Sequence, residues 1–181
     1  MLDQYEKNAS GLLVPKKQGI VFSGKYRGTI IREGEIIDEF ECENIVVNEG
    51  LNALLNVILG SASVLYPWYL GVFSGNYTPV ASVGAATIAS AATEFISYSG
   101  GVRPTFVPAA AASQSITNSA SPASFSFTAG AALYGAFLIS SSTLNGTSGT
   151  LLSAAQFGSV KNVSSGDQLL LNYTFNAAST S

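Results

Sequence analysis

From residue 50 to the end of this 181-residue chain there are four charged side chains, Glu94, Arg103, Lys161 and Asp167. The other fifteen lie in the first 49 positions. Charged residues make up 10% of the chain, against roughly 25% in an average soluble protein. Ser, Thr, Ala, Gly and Asn replace the missing charge. That profile suits short strands packed closely through small side chains, or a surface covered by partners. A net charge of −3 leaves no basic footprint for nucleic acid.

Residues 1–19 are polar, show no sustained periodicity, and read as an extended N-terminal arm. Residues 20–181 read as one domain. It opens with a predicted hairpin over 20–47, with strands Ile20–Ile31 and Ile36–Val47 around the turn Arg32-Glu33-Gly34-Glu35. On the return strand Glu39, Glu41 and Glu43 share one face, with Phe40 and Cys42 on the other, the alternation of a strand wet on one side.

The segment NIVVNEGLNALLNVILG (44–60) predicts a single amphipathic helix over 49–59, with Asn48 as its N-cap and Glu49 beside the positive helix end. Leu51, Leu54, Leu55, Ile58 and Leu59 form its apolar stripe, which predicts docking on a sheet. A strand follows over 65–73, with Trp68, Leu70 and Val72 on one face and Tyr69 and Phe73 on the other. Residues 74–92 read as a low-complexity loop. Short strands are expected at 93–98, 102–107, 113–117, 123–128, 132–140, 149–153 and 167–175, separated by turn-forming clusters. The expectation is a mainly β chain: an antiparallel, jelly-roll-like β-sandwich with one helix and an arm.

The chain has no histidine and one cysteine, so Ser/His or Cys/His nucleophilic pairs and a zinc site are excluded. Cys42, on the inward side of its strand, reads as a small buried hydrophobe. No catalytic residue, cofactor or metal site is expected. The start MLDQYEKN does not resemble a secretory signal, and no apolar run reaches the ~20 residues of a membrane-spanning helix. Neither membrane nor nucleic acid is an expected partner. The aromatics Tyr66, Trp68, Tyr69, Phe73 and Tyr77 could stack on sugars, although such alternation more often fills a core. Arg103 either faces solvent or pairs with Glu94 or Asp167, the acids of the β region.

Several stretches carry a resemblance. They include Asn44-Ile-Val-Val-Asn48-Glu-Gly-Leu-Asn52, Trp68-Tyr69-Leu-Gly71, Glu94-Phe95, Tyr98-Ser99 and Arg103-Pro104. Others are Asn118-Ser-Ala-Ser-Pro122 with Phe125, the run Tyr134–Ser140, Leu151-Leu152-Ser153 with Phe157, and Ser165-Gly166-Asp167-Gln-Leu169. Over about residues 25–176 the chain resembles a family of tailed-bacteriophage structural proteins. The resemblance implies a capsid decoration (cement) protein that clamps neighbouring major capsid subunits, or alternatively a tail or fibre component that binds host glycans. It implies a homo-oligomer on the virion surface, made in the bacterial cytoplasm, with the major capsid protein and other virion proteins as partners. Tyr5, Lys16, Lys17, Tyr26, Arg27 and Arg32 of the arm and hairpin are the expected contact residues. Asn48, Leu51, Leu55, Trp68, Arg103, Tyr134 and Phe137 are the expected structural ones.

Overall fold

A computed structural model describes residues 5–7, 9, 10, 12–15 and 19–180. Within the arm, β1 (Tyr5–Lys7) pairs antiparallel with β2 (Leu13–Pro15). The rest is an antiparallel β-sandwich, as the sequence leads one to expect. One sheet has the order β4 (Glu35–Glu43), β3 (Gly19–Arg32), β12 (Gln168–Thr180), β8 (Ser115–Thr117), with β9 (Ala123–Ser126) also on β12. We call it the hairpin sheet. The other, the covered sheet, runs β5 (Ile45–Val46), β11 (Leu151–Val163), β10 (Ala131–Ile139), β6 (Trp68–Phe73), β7 (Thr105–Phe106).

The β3–β4 turn is the two-residue loop Glu33-Gly34, with φ of 52° and 87°, the positive values that a type I′ hairpin turn demands. The return strand ends at Glu43, earlier than the predicted Val47. Past Asn44 the chain crosses to the covered sheet, where Ile45 and Val46 pair with Ala154 and Ser153.

Side-chain alternation separates the two sheets. The hairpin sheet turns Tyr26, Ile30, Leu169, Leu171 and Tyr173 inward, against Leu70, Val72, Leu133, Ala136 and Leu138 of the covered sheet. Its outer face is wet. The covered sheet is buried on both faces, because a second cluster of Phe73, Phe137, Ile139, Leu151 and Ala154 packs outward against Val83, Ala85 and Ile88. Hence β6 and β10 read as continuous apolar runs while β4 alternates. Phe137 lies over Gly71 and Phe73 over Gly135, and these are the cross-strand pairs of the β10–β6 ladder. Each glycine makes room for the aromatic ring opposite.

The second cluster rests on a helix that the sequence concealed. Residues 74–92, expected to be loop, contain α2 (Ala85–Ala91), which buries Ala85, Ile88 and Ala89. Its face is made almost wholly of alanine, so no large apolar residues mark the period. The expected strand at 93–98 is irregular chain, with Thr93 at φ 56° and two isolated bridges, Phe73 to Glu94 and Tyr98 to Phe127. Strand β11 runs ten residues beyond its expected end at Ser153. Its alanines, together with a bulge where Leu133–Gly135 of β10 face Gln156–Lys161, hide the alternation.

The helix expected over 49–59 forms as α1 (Asn48–Ile58). Asn48 is not its N-cap: Val47 holds that position, and Asn48 is already helical, with its amide on the Ala81 carbonyl. Strand β5 leads directly into the helix, so buried Val47 occupies the junction. The docking face also differs from the stripe. Gly50 presses on the backbone of Leu152 in β11, while Leu51 is half-buried and Leu55, Ile58 and Leu59 are exposed.

Gly135→Ala drives a methyl into the Phe73 ring and the Ala155 carbonyl. Overpacking of this kind costs about 1–3 kcal/mol, expected as a lower midpoint of denaturant unfolding. Gly158→Ala, with open space at its Cβ, leaves the midpoint unchanged.

Candidate interaction surface

The outer face of the hairpin sheet carries the exposed charge among the described residues of the domain. Because side chains alternate on strands, Lys25, Arg27 and Thr29 of β3 stand opposite Glu43, Glu41 and Glu39 of β4. Lys25 Nζ donates to Glu41 at 3.0 Å and lies 3.3 Å from Glu43, while Arg27 Nη2 donates to Glu41 at 3.1 Å. Hydrogen bonds from Lys25 and then Arg27 hold the Glu41 carboxyl below its usual range, and Glu41 raises Lys25 in turn. Exposed pairs like these contribute little to stability. Their consequence is a zipped ladder in which two cations are shared among three carboxylates.

Beyond Glu49 every charged residue is buried and partnered. Arg103 and Glu94 are both fully buried and joined twice, Nε to Oε1 and Nη2 to Oε2, each at 2.7 Å. Further groups complete the site. Asn145 N–H donates to Glu94 Oε2 at 2.8 Å, Arg103 Nη1 donates to the Ser141 carbonyl at 2.8 Å, and the guanidinium lies 5.2 Å from the Phe137 ring centre. Asp167 accepts Arg32 Nε at 2.8 Å, Arg32 Nη2 at 2.7 Å and the Ser164 amide at 2.7 Å. Arg32, chiefly, holds its carboxyl below the usual range. Lys161 meets Asp38 at 3.0 Å, over the Phe40 ring. The surface of the β region is therefore left to uncharged groups.

At one end of the sandwich an apolar cleft of about 290 Å³ opens between α1 and the two sheets. Leu54, Val64, Leu65, Trp68, Phe106 and Phe175 line it. Trp68 is half-buried there.

The expected contact residues divide. Lys16 and Lys17 lie outside the described residues, and Tyr5 is placed only as backbone of β1. Arg27 is exposed on the ladder, and Arg32 ties the hairpin tip to the turn before β12. Tyr26 is not a contact residue: it is fully buried, its hydroxyl 2.7 Å from Ser153 Oγ and its ring tilted against that of Tyr173. Burial pushes its phenol well up. Arg103 and Phe137 sit together in the interior, and Tyr134 packs half-buried against the outer cluster. Burial also raises the Cys42 thiol to about 11, which keeps it protonated at neutral pH.

Two joints escaped the sequence reading. Glu49 does not serve its own helix: Oε2 accepts the Ala85 amide at 2.7 Å, where α2 begins, and the Leu151 amide at 3.0 Å. Asn118, fully buried, accepts from the Tyr173 amide and donates to the Leu171 carbonyl, bracing the stretch of β12 between its pairing with β9 and its pairing with β8. A carboxylate after a strand and an Asn in a turn cluster are too common to flag either joint. Scans against protein-family models and curated proteins match nothing.

Removing either partner of the Glu94–Arg103 pair leaves a buried charge unpaired, at a cost of about 3–5 kcal/mol. Glu94→Leu and Arg103→Met are each expected to destabilise by that order, and the double variant by less than their sum, in a denaturant double-mutant cycle. Additive losses would refute the coupling. Asp167, its pKa depressed by folding, stabilises the fold above the unfolded carboxyl's value of ~3.9, and that stability is lost as pH falls through the folded value. Asp167→Asn is thus expected to melt below the parent at pH 7, with the gap closing in acid.

Proposed function

We propose that this chain is a non-enzymatic structural protein of a tailed-bacteriophage virion, a capsid decoration protein that clamps neighbouring major capsid subunits. The resemblance over residues 25–176 suggests the class. The observation that carries the reading is the placement of charge: past Glu49 all four ionic side chains are buried in pairs. A freely diffusing protein keeps mixed charge across its surface for solubility. A surface without it suits a molecule that functions covered by neighbours. On a symmetric shell, weak contacts then add through high effective concentration. The arm, with Lys16 and Lys17, and the ladder face with Arg27 would engage the shell, and Arg32 would hold the hairpin in place for it.

A tail or fibre component that binds host glycans is less well supported. Sugar recognition needs hydrogen-bonding groups beside an aromatic face, and the cleft at Trp68 is lined almost entirely by apolar side chains.

Deleting residues 1–18 makes the chain begin at Gly19, the first residue of β3, and is expected to leave the thermal midpoint nearly unchanged while stripping the protein from particles. Truncated protein that loads normally would sink the clamp. Copy number by quantitative mass spectrometry of purified virions separates the two locations, with on the order of hundreds indicating the shell and about a dozen or fewer the tail.

A further inference from the structure

Helix α1 carries a wider apolar arc than the sandwich covers. Gly50, Ala53, Leu54 and Val57 line the inner side with Leu152 and Trp68. Leu55, Ile58 and Leu59, next around the helix and beyond its end, are 54%, 65% and 82% exposed. The segment that follows adds Val64 and Tyr66, also largely exposed, at the rim of the cleft. These five side chains offer roughly 600 Å² of mostly apolar surface, on the order of the ~800 Å² each partner gives a stable interface.

Knob and hole lie side by side on this face. An apolar cavity of ~150 Å³ holds a benzene-sized group, so a cleft of about 290 Å³ takes two side chains of leucine size. Charge points to the same occupant. An ionic group lying on a two-fold axis meets its own like charge, and between Gly50 and Thr93 the chain has none. Glu49 just before it is engaged with Ala85 and Leu151, and Glu94 just after it with Arg103.

We propose that this face is a homodimer contact, in which Ile58 and Leu59 of one copy enter the cleft of a second copy that returns the same contact, with Leu55 packing at the rim. The pairing does not depend on the virion reading: a chain that never joins particles can still dimerise here, and a monomer loading onto capsids would overturn this contact alone.

Sedimentation velocity of the full chain across dilution tests it. The parent is expected to sediment as a dimer that dissociates on dilution, with Trp68 emission moving to the red as the cleft opens to water. Leu55→Glu with Ile58→Glu, at exposed positions, is expected to raise the dissociation constant about 100-fold or more while keeping the circular dichroism of the parent. Leu59→Lys alone, at the most exposed of the three, supplies the same test should the double variant misfold. Ile36→Glu, an exposed apolar residue on the hairpin, leaves the dimer intact. A monomeric parent, an unmoved dissociation constant in the α1 variants, or equal loss with Ile36→Glu each overturns the proposal. So does a monomeric parent whose α1 variants fail to load onto particles, since that outcome assigns the face to a shell subunit.

Discussion

Burial of the covered sheet on both sides is the constraint from which most of this structure follows. A strand wet on one face can place polar side chains at every second position. A strand covered on both has no such outlet, so β6, β10 and the first half of β11 consist of apolar and small residues. Two layers packed closely on one sheet leave little volume, which explains the alanines of α2 and β11. It also explains the reciprocal arrangement of Phe137 over Gly71 and Phe73 over Gly135. The scarcity of charge after residue 50 begins here, as a packing requirement. It extends to the exposed positions as well, and packing alone does not account for those.

The charges that remain are fasteners. Glu49 joins α1, the start of α2 and β11 through one carboxylate oxygen. Arg103 and Glu94 hold the segments around 94–103 and 141–145 together. Asp167 fixes the hairpin tip to the turn before β12. Each buried carboxylate accepts from more than one donor, as a low-dielectric site requires, since a half-satisfied buried charge is costly. Of these, the sequence suggests the Arg103 pairing alone, as one of several alternatives.

Legibility followed side-chain contrast. The 20–47 hairpin and the Glu39/Glu41/Glu43 face are legible because large apolar and polar residues alternate there. Where contrast vanished, so did the signal. Alanine-built α2 looked like loop, and β11 was lost after Ser153 among Ala154, Ala155 and a bulge. For α1 the periodicity gave the element and misjudged its face, because a helix can approach a strand most closely through Gly50 and Ala53 rather than through leucines. The candidate surface fared less well than the fold. Tyr26, expected as a contact along with the rest of the hairpin, occupies the inward phase of β3, one residue from exposed Arg27. Function carried by a surface leaves no catalytic spacing to find, so its residues are visible only once burial is known.

The segregation of charge also gives the two regions different ranges of action. Ionic groups on the β3–β4 face act across a Debye length of ~8 Å at physiological salt, and their internal pairing cancels most of their charge. Apolar groups at the α1 face act only at contact, through water released from their surfaces. A molecule built this way gains little from long-range steering and much from being held beside its partners. Chains already concentrated on a common support meet that condition, because tethering supplies the encounter that a neutral surface does not promote. The paired ladder, the buried fasteners and the uncovered helix arc are thus consistent with one mode of association, in which close, repeated and largely uncharged contacts accumulate and no single strong one is needed.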